Sequence, residues 1–63
     1  MTDEIGNLYR AAFYIAKGAK EVGLKFLKNS GEKFRGLKLE TEKEKLFWAE
    51  KILDKYVSLK HAS

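Results

Sequence analysis

The chain contains no cysteine and no proline, and its single histidine, His61, lies close to the C-terminal end. Without cysteine there is no disulfide and no cysteine-based metal site, and one histidine does not supply the ligands of a structural zinc ion. We therefore expect no metal and no cofactor. Because proline is absent, glycine and serine must end the helices.

Long apolar runs are also missing. The longest uncharged apolar stretch covers residues 11–16, far below the roughly 20 residues of a membrane-spanning helix. The acids Asp3 and Glu4 stand where a signal peptide carries basic residues. We therefore expect a cytoplasmic protein with no membrane partner.

Residues suited to catalysis are few and scattered. His61 has no third group to orient it, although Ser58 lies one helical turn before it. Glu40, Glu42 and Glu44 alternate with other residues that include Lys43, as expected for a solvated helix start. The sequence therefore predicts a protein that is not an enzyme.

Charge and length are informative. Thirteen basic and nine acidic residues are interleaved, which is typical of solvated helical surfaces. Lysine and glutamate are abundant and glutamine is absent, a composition similar to that of hyperthermophile proteins.

The 63 residues make a single domain over 1–63. A domain this short buries only about 60% of its unfolded surface, so oligomerisation is the expected means of stabilising it.

Apolar residues in the first half recur at spacings of three and four. One series, which we call the heptad row, follows the a and d positions without interruption: Ile5, Leu8, Ala12, Ile15, Ala19, Val22 and Phe26. A second row beside it consists of Tyr9, Phe13, Ala16, Gly23 and Leu27. The pattern predicts one helix over about 3–28, with Thr2 as N-cap, Asp3 in the first turn and a stop at 29–31.

A second helix is predicted over about 41–60. It opens with a capping box, in which the side chains of Thr41 and Glu44 bond to each other's backbone amides. Its apolar face gathers Leu46, Ala49, Ile52, Leu53, Tyr56, Val57 and Leu59. The connection covers about 29–40 and contains Gly31 and Gly36. The predicted fold is all-α, an antiparallel helical hairpin.

Two helices side by side leave much of the first helix's apolar arc in water, more than soluble monomers usually expose. Two hairpins packed face to face form a four-helix bundle that buries both arcs. We therefore expect a homodimer, with the heptad row as its interface. The small residues Ala12, Ala16, Ala19 and Gly23 form a strip for close helix contact. That strip receives either the first helix of the second copy or the second helix of the same chain.

Three aromatic side chains fall outside the predicted core. Tyr14 lies opposite the apolar arc of the first helix, Phe47 on the polar face of the second, and Trp48 at its boundary. Aromatic residues are enriched at protein–protein contacts, so the three predict a surface for an unidentified protein partner. Alternatively, Tyr14 covers lysine stems and Phe47 packs under the loop at 34–39.

Nucleic acid is the alternative partner. The basic side chains on the helix and loop that would contact phosphates are Arg10, Lys17, Lys25, Lys28, Lys33 and Arg35. Phosphate binding needs little more than such side chains, and Phe34 in the loop is placed to stack on a base. A helix-turn-helix DNA reader requires a short turn and usually a third helix, which the pattern does not show.

A 63-residue, cysteine-free helical hairpin that begins MTDEIGNLYRAAFYIAKGAKEVGLKFLKNSGEKFRG resembles the small hairpin proteins of the spindle-shaped viruses (fuselloviruses) of Sulfolobus. The likeness covers the whole chain and rests on length, composition and the two-helix layout. It implies a homodimeric antiparallel four-helix bundle and an adaptor role in macromolecular assembly, in the host cytoplasm. The chain is also similar to plasmid copy-number hairpins that bind paired RNA loops, but its connection is longer and contains glycine.

Overall fold

A computed structural model describes residues 4–62, which are helical with irregular connections and contain no strand within that range. The helices, in chain order, are α1 (Glu4–Ala16), α2 (Lys20–Asn29) and α3 (Glu42–Ala62). The all-α class is confirmed. The continuous helix predicted over 3–28 is wrong, because the chain bends between α1 and α2. Thr2 and Asp3, predicted to start that helix, lie outside the described residues.

The bend between α1 and α2 is built on Gly18. Its φ of +92° lies in the left-handed region, which glycine adopts without steric cost. The N–H of Gly18 donates to the carbonyl oxygen of Ile15 (3.1 Å), and the N–H of Ala19 donates to that of Tyr14 (2.8 Å). These two bonds form a Schellman motif, a common glycine-based helix ending. Gly18 therefore stops α1 where the heptad row predicts that the helix continues.

α2 folds back onto α1, and the two helices come close together at Gly23. A β-carbon on Gly23 would lie 2.5 Å from Ile15 Cγ1 and 3.1 Å from the carbonyl oxygen of Ala11. Glycine therefore allows the two backbones to approach this closely. The stop predicted at 29–31 is confirmed, since α2 ends at Asn29 and the buried Ser30 hydroxyl donates to the Leu27 carbonyl oxygen (2.6 Å).

α3 closely matches the second predicted helix. The Glu44 N–H donates to Thr41 Oγ1, and the Thr41 N–H donates to Glu44 Oε1, and both donor–acceptor distances are 3.1 Å. The predicted capping box is confirmed. No helix within 4–62 is long and apolar enough to cross a membrane.

The buried hydrophobic residues form one core centred on α1. α1 packs against both α2 and α3, whereas α2 and α3 barely touch. Leu8, Ile15 and Ile52 are the largest fully buried side chains. The other buried hydrophobic residues are Ala11, Ala12, Leu27, Leu39 and Ala49. Leu39 belongs to the connection 30–41, which therefore helps to close the core.

Candidate interaction surface

One side of α1 and one side of α3 form an apolar surface that the chain leaves uncovered. We call it the α1/α3 face; its exposed members are Tyr9, Phe13 and Ala16 of α1 and Leu46, Leu53 and Val57 of α3. Spacings of three, four and seven keep each set on one side of its helix. The Tyr9 and Tyr56 rings lie 5.4 Å apart, and Ala16 and Ala49 share one groove. The two helices therefore run antiparallel.

A groove of about 270 Å³ opens in the middle of the α1/α3 face. Its lining residues are Tyr9, Ala12, Phe13, Ala16, Ala49, Glu50 and Leu53. The alanines leave space between the larger side chains, and Glu50 is the one charged residue among these seven. The shape and chemistry of the groove suit an apolar side chain from a partner.

The heptad row, predicted as the dimer interface, is divided by the fold. Leu8, Ala12 and Ile15 are buried in the chain's own core, because α2 and α3 already cover that side of α1. Among the other members, Val22 is exposed and the partly buried ones are Ile5, Ala19 and Phe26. In this fold the row is therefore not one surface. The open surface belongs instead to the second apolar row, at Tyr9, Phe13 and Ala16.

The small-residue strip is divided in the same way. Ala12 and Ala16 line the groove between α1 and α3, whereas Gly23 is buried against α1. Ala19 lies in the bend. Contact of the strip with a helix of the same chain therefore occurs at Ala12 with α3 and at Gly23 with α1.

The three aromatic residues predicted as a partner surface have different surroundings. Tyr14 is partly buried, and its ring stacks on Phe26 at 5.5 Å, because α2 folds back beside it. Predicted opposite the apolar arc of the first helix, Tyr14 therefore contacts the chain's own α2. Trp48 is partly buried, with its ring 6.3 Å from Phe34 and edge-on to it. Phe47 is exposed, at 52%.

The six basic residues predicted to contact nucleic acid are all exposed: Arg10, Lys17, Lys25, Lys28, Lys33 and Arg35. Two of them contact side chains of α1. Arg10 donates to Asn7 Oδ1 (3.2 Å), and the Lys17 ammonium lies 4.7 Å from the centre of the Phe13 ring. Phe34, predicted to stack on a base, packs against Trp48 instead. Nucleic-acid binding stays a prediction.

The ionisable side chains of residues 4–62 do not gather into a metal site. Within the described residues, no group of three or more His, Asp or Glu side chains is arranged to hold one ion. Ser58 and His61 are both exposed on α3.

No family model, curated protein or solved structure matches the chain. Its function is therefore inferred from the surfaces described above.

Proposed function

We propose that this chain is a non-enzymatic interaction module, that it forms a homodimer through the α1/α3 face, and that the dimer is an adaptor in a larger assembly. The observation that carries the proposal is the α1/α3 face itself, a two-helix apolar surface with a groove at its centre. Contiguous apolar patches of this kind typically mark contacts with other proteins.

A second copy suits the α1/α3 face because the face carries both halves of a contact. Phe13 and Leu53 project large side chains, and the alanines beside them leave a groove. Two copies related by a twofold axis therefore place large side chains of each in the groove of the other. The two α1/α3 pairs would form a four-helix bundle, with α2 outside it.

The small size of the core also favours association. Among the described residues, eight hydrophobic side chains are buried, while seven large ones remain exposed. Four of these exposed side chains lie on α3, and three of them, Leu46, Leu53 and Val57, belong to the α1/α3 face. Covering apolar surface contributes about 25 cal/mol per Å². A dimer would therefore add substantially to the stability of a 63-residue chain.

The adaptor role rests on what lies outside that contact. Phe47 is exposed on α3, and the Lys51 ammonium lies 5.5 Å from the centre of its ring. A dimer would carry two such aromatic sites, and aromatic residues are frequent anchors at protein interfaces. The resemblance to the viral hairpin proteins supports the same role.

The test is to place a charge in the proposed contact. Light scattering of the wild-type protein at micromolar concentration should give twice the 7.3 kDa chain mass. Leu53→Glu should give a monomer, because the twofold axis brings two carboxylates into one apolar contact. Like charges placed together at an interface cost several kcal/mol, so we expect the affinity to fall about 100-fold or more.

Val22→Glu is the matched control. Val22 is 43% exposed and Leu53 is 39% exposed, but Val22 lies on α2, outside the α1/α3 face. We expect this variant to remain a dimer. Val22 also belongs to the heptad row. If Val22→Glu dissociated the dimer and Leu53→Glu did not, the contact would involve the heptad row and the proposed interface would be wrong.

A further inference from the structure

The bend at Gly18 interrupts a sequence pattern that continues through it. The heptad row passes from Ile15 to Ala19 to Val22 without a change of spacing. Ala19, the N-cap of α2, makes no side-chain capping bond, and no proline lies at the bend. The local determinant of the bend is thus the left-handed backbone of Gly18 with its Schellman bonds.

We propose that Gly18 is a hinge, and that two opened chains exchange residues 20–62, so that α2 of each copy packs on α1 of the other. In the exchanged dimer, residues 4–29 of each chain form one straight helix. The two straight helices run antiparallel and cross near Ala19. Exchange of identical elements is a low-cost route to dimers, because the contacts of the closed chain are remade between chains.

The register between α1 and α2 supports this exchange. In the closed chain Gly23 lies against Ile15. Ala19 is four residues before Gly23 and four after Ile15. If Gly23 packs instead on Ile15 of the partner subunit, two antiparallel helices bring Ala19 opposite Ala19 of the partner subunit. The new contact at the crossing therefore involves small side chains, which allow a close approach.

The exchange uses a different surface from the proposed homodimer. The α1/α3 face is formed wherever α3 packs on an α1, whether that α1 belongs to the same chain or to the partner. The two modes of association are therefore independent, and each is testable in the absence of the other.

Opening of the hinge changes the dimensions of the chain. The closed chain measures 33 Å along its longest axis. A straight helix of 26 residues over 4–29 would be about 39 Å long. The antiparallel register that sets Gly23 against Ile15 in the closed chain also sets Arg10 level with Lys28. Along the straight helix the two residues would be about 27 Å apart.

Gly18→Ala, made in the Leu53→Glu background to remove the first dimer contact, tests the hinge. Alanine disfavours the left-handed backbone that the bend requires, and it stabilises a continuous helix more than glycine does. Together these two effects shift the equilibrium from the closed to the open chain about 30-fold at each hinge. A dimer has two hinges. We expect light scattering to show that the mass doubles relative to the Leu53→Glu protein.

Gly36→Ala in the same background is the matched control. Gly36 also has a positive φ (+71°), and a β-carbon there, as at Gly18, would meet nothing within 4 Å. The two substitutions therefore introduce similar local strain. Gly36 lies in the connection between α2 and α3, where no heptad row continues, so this variant should remain monomeric.

A distance measurement identifies the open chain directly. Because the protein has no cysteine, spin labels can be attached to Arg10→Cys and Lys28→Cys in one chain, which is then diluted with unlabelled protein. The Gly18→Ala dimer should show a separation of about 27 Å within the labelled chain, and the monomer a much shorter one.

Three results would overturn the hinge: a Gly18→Ala monomer with the short distance, a dimer that keeps the short distance, or loss of helical circular dichroism without dimer formation. If Leu53→Glu alone remained dimeric with the short label distance, the proposed α1/α3 interface would be wrong, whereas a dimer with the long distance would be held together by the exchange. The hinge would then be judged by the label distance, measured with and without Gly18→Ala.

Discussion

Gly23 has too little space for a side chain, whereas a β-carbon at Gly18, Gly31 or Gly36 would meet nothing within 4 Å. A β-carbon at Gly23 would lie 2.5 Å from Ile15 Cγ1. Overpacking costs about 1–3 kcal/mol, while alanine is roughly 1 kcal/mol better than glycine within a helix. We expect Gly23→Ala to lower the free energy of unfolding by up to about 2 kcal/mol, measured by urea denaturation.

The Ile15→Ala variant provides the control for this prediction. Removing the Ile15 side chain removes the atom that a β-carbon at Gly23 would meet first. In the Ile15→Ala background, Gly23→Ala should therefore lower the free energy of unfolding by less than it does in the wild type, or should raise it. If Gly23→Ala stabilised the wild type itself, α2 would not pack against α1 as described.

The glycines also show which part of the fold is readable from sequence. Gly18 is followed by the small apolar Ala19, an arrangement suited to a Schellman ending, and this signal was available. A single glycine within an apolar helical pattern costs only about 1 kcal/mol, so the heptad row outweighed it. The closeness of Gly23 to Ile15 has no local signal, because it exists only once α2 has folded back.

The start of α3 depends on the capping box. Removing a threonine N-cap typically costs about 1 kcal/mol. We expect Thr41→Ala to lower the free energy of unfolding by this amount in urea denaturation. Lys43→Ala, an exposed change in the same turn, should alter it by less than about 0.5 kcal/mol. Equal effects of the two substitutions would show that the Thr41–Glu44 bonds do not stabilise α3.

The helices differ in how fully their own residues determine them. α3 was predicted closely, because its cap lies within four consecutive residues and no break follows. For α1 and α2, the apolar pattern runs unbroken past Gly18. The chain bends there because folding back buries Gly23 and Leu27 against α1. Sequence periodicity reports which residues are apolar, but not which helix covers them.

Sequence periodicity also could not show which apolar row of α1 remains exposed. The heptad row and the second row lie side by side on α1, and both are apolar. Once α2 and α3 have packed on α1, Leu8 and Ile15 are completely buried, and Tyr9 and Phe13 remain about half exposed. The sequence predicted an apolar surface for association, but the row that provides it depends on the path of the chain after Gly18.

If the α1/α3 face joins two copies, folding and association are coupled, and the thermal midpoint must depend on protein concentration. For a chain of this size we expect the wild-type midpoint to rise by about 3–6 °C for each tenfold increase in concentration. Calorimetry or circular dichroism over a range of concentrations measures this. Leu53→Glu should unfold at one temperature throughout, because its monomer gains nothing from mass action, whereas Val22→Glu should keep the wild-type dependence. A wild-type midpoint that does not move with concentration would mean that the face remains uncovered in the folded protein.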